Sequence, residues 1–154
     1  MTDPIEKLRE YGFELPAPKA PVASYVPVTR IGNVLYVSGQ ISSNEHGVVQ
    51  GRLGETMNVV QGGNAAELCA VNIMAQIVHM AGVPLHEIKK MVKLTVLVAS
   101  TPDFTEQHLV ANGASNLFVG VLGDRGKHAR AAFGVTSLPL GAAVEIEAVV
   151  LIRS

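Results

Sequence analysis

The sequence predicts an α+β fold: one mixed β-sheet of five to six strands with two helices packed on one of its faces. Three observations predict it. Strand-like and helix-like periodicities follow the order β-β-(β)-α-β-α-β-β, which suits a single sheet covered on one side. Residues 91–98, MVKLTVLV, are β-rich and apolar on both faces, as a central strand requires. The last strand carries Ala148, Val149, Val150, Leu151 and Ile152, too apolar to leave either side in water. Closed symmetric association is the expected cover for the face without helices.

A chain of 154 residues, 48% of them hydrophobic, can bury a substantial core. We expect an N-terminal helix and proline-rich extension over residues 1–21 and a single domain over residues 22–154. Twelve basic and 13 acidic residues give no field that would draw nucleic acid or an anionic membrane. Trp is absent and aromatics are few, which removes the usual base-stacking platforms. No apolar run reaches the ~18–20 residues that span a bilayer. Residues 1–10 alternate charge and lack an apolar signal core, so a soluble, cytoplasmic protein is expected. Cys69, the only cysteine, sits in an apolar helical context and reads as a small buried hydrophobe. The five histidines show no paired-ligand spacing; no metal and no organic cofactor are expected.

Pro4, with Asp3 as N-cap, starts a short helix through Ile5 and Leu8. Residues 15–21, LPAPKAP, read as an extended connector. Residues 24–29 and 34–38 suggest a hairpin that Tyr25 opens, turning at residues 30–33. Residues 48–51 allow a further short strand. Residues 56–80 are helical, with regular packing expected from Asn64, after the Gly62-Gly63 pair, to a stop at Gly82 and Pro84. The second helix is expected over residues 104–121, anchored by Phe104, Leu109, Ala114, Leu117 and Phe118.

Residues 129–151 read as two strands joined by a turn at residues 137–141. Strand alternation puts Arg130, Ala132, Gly134 and Thr136 on one side, and Glu145 and Glu147 on one side of the second strand. Taken as a hairpin, the pair would have one apolar face and one face carrying Arg130, two carboxylates and small residues. An arginine and a glutamate lining a hollow on rigid strands suit a small anion and a water molecule. Exposed cross-strand Arg–Glu pairs are also common and contribute ~0–1 kcal/mol, so the pattern alone leaves both readings open.

Several stretches together carry a resemblance. They are Tyr25 with its hairpin, residues 33–40 (NVLYVSGQ), and residues 92–98 followed by Asp103-Phe104. Ala129-Arg130, Leu138-Pro139 and residues 144–148 (VEIEA) complete them. In order and spacing the chain resembles the RidA family, also called the L-PSP endoribonuclease family, from about Tyr25 to the C-terminus. The resemblance implies a chorismate-mutase-like fold that assembles as a homotrimer around a central β-barrel, with sites in clefts between subunits. It implies hydrolytic deamination of 2-imino and 2-enamino acids to 2-keto acids and ammonia, with no cofactor. Carried over by position, Arg130 matches the arginine that grips the substrate carboxylate. Glu145 matches the acid that activates water, and Tyr25 the aromatic that closes the pocket. Ser38 matches the polar residue of the Ser-Gly-Gln turn, and Asn112 the asparagine on the second helix. Ala132, small and on the arginine's side, leaves room for substrate. Phe133 and Gly134 depart from the family pattern and mark a divergent subgroup.

An imine is already an electrophile, so the protein has only to hold the carboxylate, place water and move protons. Arginine's planar fork fixes a carboxylate's orientation as lysine would not. A non-catalytic carboxylate-binding protein of the same fold is the second reading. Ribonuclease chemistry finds no support: no basic stripe, no workable His pair and no stacking aromatics.

Overall fold

A computed structural model describes residues 2–17 and 23–154; residues 18–22 of the proline-rich connector lie outside the described residues. Helix α1 (Pro4–Glu10) starts where expected, the Ile5 amide donating to Asp3 Oδ1 at 3.3 Å. Its Leu8 is buried, and Tyr11 just beyond it lies across Gly120 of the second long helix. A two-residue loop, Gly32-Asn33, joins β1 (Val28–Ile31) to β2 (Val34–Ile41). Gly32 sits there at φ 59°, a conformation that costs glycine little. A small ribbon of β3 (Ser43–Asn44) and β4 (Gly47–Val48) follows. Then come α2 (Val59–His79), β5 (Ile88–Ala99), α3 (Gln107–Leu122), β6 (Ala129–Val135) and β7 (Val144–Ile152).

The main sheet has the order β1-β2-β7-β5-β6. All its pairs are antiparallel except β5 with β6. Helix α2 lies over β2 and β7, and α3 over β5 and β6, so both helices cover one face as expected. Alternation along β7 makes the layer: Val144, Ile146, Ala148, Val150 and Ile152 are buried under the helices, with Glu145, Glu147, Val149 and Leu151 on the other side. Leu94, Val96 and Phe118, fully buried between sheet and helices, belong to one continuous core. On the uncovered face Tyr36 and Phe133 are 48% and 46% exposed, beside the half-buried Val149 and Leu151.

Strands β6 and β7 do not form a hairpin. Each pairs with β5, which runs between them. The reason is the β5–α3–β6 unit: parallel strands joined by a helix lie side by side, so β6 takes the free edge of β5. The chain then returns past the end of β5 through a single 3₁₀ turn at Pro139–Gly141.

Smaller departures have equally local causes. The first strand begins at Val28, not Ser24, because Pro27 has no N–H for the ladder. Tyr25 therefore precedes the strand. The short strand expected at residues 48–51 ends at Val48. Helix α3 begins at Gln107, leaving Phe104 in the loop before it, and Leu109 is 38% exposed rather than an anchor.

Helix α2 begins at Val59, five residues before the expected packing start. Asn58 and Gln61 form a reciprocal capping box, each side chain bonded to the other's backbone N–H at 2.9 Å. Gly62 and Gly63 are part of the helix because α3 crosses there. A Cβ on Gly113 would run into the Gly63 carbonyl, and one on Gly62 would press on Val110. Gly63 itself has open space where its Cβ would be. Gly113→Ala should therefore lower stability by about 1–3 kcal/mol through overpacking. Gly63→Ala should raise it by about 0.5–1 kcal/mol through helix propensity. Urea unfolding of both variants at one protein concentration checks the pair.

Candidate functional site

Two groups of polar side chains stand on the sheet. The first is built around Arg130. Its register partner on β5 is Leu94, whose own partner on β7 is Ala148, so Arg130 lies on the helix-covered side, at the β6 edge. Asn112 and Ser115, three residues apart on one face of α3, meet it there. Arg130 Nη1 donates to Asn112 Oδ1 at 2.9 Å and to Ser115 Oγ at 3.1 Å. Nη2 donates to the His108 carbonyl at 3.3 Å. All three acceptors are neutral, and no ion pair involves Arg130 among the described residues. Ala132 and Gly134 continue the same side of β6. Gly134 leaves the space that Ser100 and Gln107 fill.

Behind Ser115 stands His128. Its Nε2 is 2.8 Å from Ser115 Oγ, and its Nδ1 is 2.6 Å from the Gly126 carbonyl. A carbonyl only accepts, so Nδ1 carries the proton. Burial above all, and then the Arg130 and Lys90 charges, push the His128 pKa below the ordinary value and outweigh the carbonyl's pull the other way.

The second group is built around Glu145. It pairs with Ile41 on β2 and Leu97 on β5 and points to the uncovered face. The β2–β7 register shifts between Val37 and Gln40, and Gly39 falls in that irregularity. The Glu145 carboxylate lies directly over Gly39, where a Cβ would strike it. Gln40 Nε2 donates to the Ser38 carbonyl, and the nearly buried Gln76 donates to Gln40 Oε1 from α2, bracing this kink. Ser38 Oγ donates to the Val26 carbonyl at 2.8 Å and the Ser38 amide to the Pro27 carbonyl at 2.9 Å. Those bonds hold the segment that carries Tyr25, itself 58% exposed. Burial, and then the Glu147 charge, raise the Glu145 pKa above the usual carboxylate value.

Arg130 and Glu145 do not share a hollow within one chain. They stand on opposite faces of the sheet, because the row through Arg130 and Leu94 meets β7 at Ala148, an odd number of residues from Glu145. Phe133, through Leu97, is in the Glu145 row instead. Two hollows among the described residues include neither Arg130 nor Glu145. One of about 170 Å³ on the uncovered face is lined by Tyr36, Lys93, Thr95 and Glu147. The other, about 550 Å³, lies between Phe13 and α2. Asn112 meets Arg130 as a hydrogen-bond partner, while Ser38 and Glu145 flank Gly39 and Ser38 donates to the carbonyl of Val26, next in the chain to the exposed Tyr25. Sequence reasoning missed Ser115, His128 and Gly39. Polar residues at i and i+3 on an otherwise apolar helix were the available signal for Ser115.

Residues 16–152 match the family model described as endoribonuclease L-PSP. The chain belongs to this family. Protein TCP17 of Trypanosoma cruzi is 46% identical to it over 145 residues, 93% of this chain and 90% of that protein. A crystal structure of a protein of unknown function from Agrobacterium tumefaciens is 49% identical, covering 97% of this chain and 92% of that one, with TM-score 0.92. RidA from an Antarctic Psychrobacter is 29% identical over 88% of this chain and 94% of its own, with TM-score 0.61. The α+β fold with its five-stranded sheet matches that of RidA, and among the described residues no helix is long and apolar enough to cross a membrane.

The raised pKa of Glu145 carries a sign. A carboxyl group whose folded pKa lies above its unfolded value favours folding while protonated, and that contribution is lost as pH rises through the folded pKa. At neutral pH the ionised Glu145 is therefore a cost to stability. Glu145→Gln should unfold at a higher temperature than the wild type at pH 7, with the gap closing as pH falls below the Glu145 pKa; thermal scans across pH measure it.

Proposed function

We propose that the protein hydrolyses 2-imino and 2-enamino acids to 2-keto acids and ammonia, at a site completed by two copies of the chain. The observation that carries this reading is the state of Arg130. A half-buried guanidinium is held in place by three neutral oxygens, and its Nε has no protein partner among the described residues. Side chains that fix a cation without neutralising it leave it ready for an outside anion. A carboxylate lying along the Nε–Nη2 edge fits the planar fork.

The chemistry then needs water and a proton carrier. With the carboxylate held, the imine carbon faces a water molecule that Glu145 orients and deprotonates. The C–O bond forms as the C=N π electrons move to nitrogen, which takes up a proton from solvent, offset later by the proton the carbinolamine oxygen releases to solvent. Proton return from Glu145 lets nitrogen leave as ammonia while the carbinolamine oxygen loses its proton and becomes the ketone. A pKa shifted upward from the ordinary carboxylate value suits a group that must both take and give a proton. Tyr25 closes the pocket, Ser38 borders it, and Ala132 leaves room beside Arg130. Asn112 serves by holding Arg130.

Because the two groups face opposite sides of one sheet, the reading requires a neighbouring copy. The β6 edge of one subunit would meet the Gly39–Glu145 side of the next in a head-to-tail ring, a homotrimer as in the family resemblance. The exposed Tyr36 and Phe133, with Val149 and Leu151, support burial of the uncovered face in such a ring. Non-catalytic carboxylate binding is the second reading, favoured by one fact: the Arg130 group is complete within a single chain.

Arg130→Ala should lose about 10²-fold or more in kcat/KM for 2-iminopropanoate generated in situ, while eluting at the wild-type size. Undiminished turnover in that variant contradicts the proposal. Wild-type protein that binds pyruvate saturably without any imine turnover supports the binding reading instead.

A further inference from the structure

Arg130 is fixed by groups that are themselves fixed from behind. The Gly126 carbonyl accepts from His128 Nδ1–H at 2.6 Å, which leaves Nε2 of the neutral ring as a bare acceptor. Only the Ser115 hydroxyl can supply the proton of the 2.8 Å contact at that nitrogen. With its hydrogen committed to His128, Ser115 Oγ turns its lone pairs toward Arg130 Nη1, 3.1 Å away. The order is therefore carbonyl, imidazole, hydroxyl, guanidinium, each donor pointing one way. Phe118 holds the imidazole edge-on from α3, ring centroids 6.3 Å apart and planes at 77°.

We propose that His128, acting through Ser115, is a positioning residue that orients the Arg130 guanidinium for its carboxylate ligand and releases it when the imidazole takes up a proton. This deepens the reading of Arg130 as the carboxylate grip and rests on it for the ligand. Protonated Nε2–H becomes a donor, so Ser115 Oγ must accept from His128 and its own hydrogen must turn away. The new cation also faces Arg130 on β6 and Lys90 on β5, with no carboxylate among its named neighbours Ser115, Phe118 and Gly126. Both effects loosen Arg130. The device is on when His128 is neutral and off below its pKa, which burial has moved downward from the ordinary histidine value.

Two readouts on the full-length protein test it. Arg130 side-chain ¹H–¹⁵N spectra need no ligand, and pyruvate titration reads the grip. The wild type at about pH 8 should give separate, slowly exchanging Arg130 Nη1 proton signals, which merge as pH falls through the His128 pKa. His128→Ala and Ser115→Ala should merge them at every pH and weaken pyruvate binding by about tenfold, the scale of one hydrogen bond to a charged group. His128→Gln places an amide oxygen where it can accept from Ser115 and cannot titrate. It should restore the separate signals and most of the affinity, and abolish the pH step. If His128→Ala does not fold, Ser115→Ala and His128→Gln decide the matter alone. Unchanged signals and affinity in Ser115→Ala, or a wild-type pH step in His128→Gln, overturn the proposal. Should pyruvate fail to bind even the wild type while the spectra follow His128, the carboxylate reading falls and the positioning role stands.

Discussion

Strand β5 runs between β6 and β7, and the chemistry this protein can perform follows from that placement. Were β6 and β7 paired directly, an arginine and a glutamate on facing strands could form an ordinary surface ion pair. With β5 interposed and the register as it is, Arg130 lies on the helix side at the sheet edge and Glu145 on the uncovered side. Two groups that would neutralise each other are kept apart. Among the described residues each is left with something missing: the arginine without an anion, the glutamate without a cation in ion-pair contact.

That separation explains the electrostatics of both groups. Arg130 is restrained by an amide oxygen, a hydroxyl and a backbone carbonyl, all of which give direction without cancelling charge. Glu145 is held against the bare backbone at Gly39, with Glu147 on the same side of its strand, and burial and like charge together raise its pKa. Glycines do structural work in both places. At residue 39 the missing side chain lets the carboxylate lie on the strand; at residue 113 it lets α3 settle close to α2. The second contact fixes the helix that carries Asn112 and Ser115, so helix packing reaches the arginine through its hydrogen-bond partners.

Much of this architecture was legible in the sequence because it rests on local periodicity. Alternation along β7, the Asp3 cap, the β1–β2 hairpin and the single helix-covered face each follow from neighbours in the chain. Long-range choices were not so legible. Residues 129–151 resemble a hairpin in isolation, and only the strand–helix–strand unit before them reveals that β6 is claimed by β5. Gly62-Gly63 weakens a helix read alone, whereas the crossing of α3 makes small residues necessary there. The candidate residues were found through family resemblance more than through pattern, and their separation into two groups depends on register parity. Ser115 gave only the i, i+3 polar pairing with Asn112 and His128 gave no linear signal, since their link to Arg130 joins a helix, a turn and a strand.

Mixing two inactive variants tests the composite site most directly. If the assembly is the proposed trimer, Arg130→Ala and Glu145→Gln subunits, unfolded together and reassembled, would leave one intact arginine facing one intact glutamate in every mixed ring. Random mixing of equal amounts should then recover about a quarter of the wild-type imine hydrolysis. No recovery from mixed rings whose formation is verified by mass would contradict a site shared between subunits.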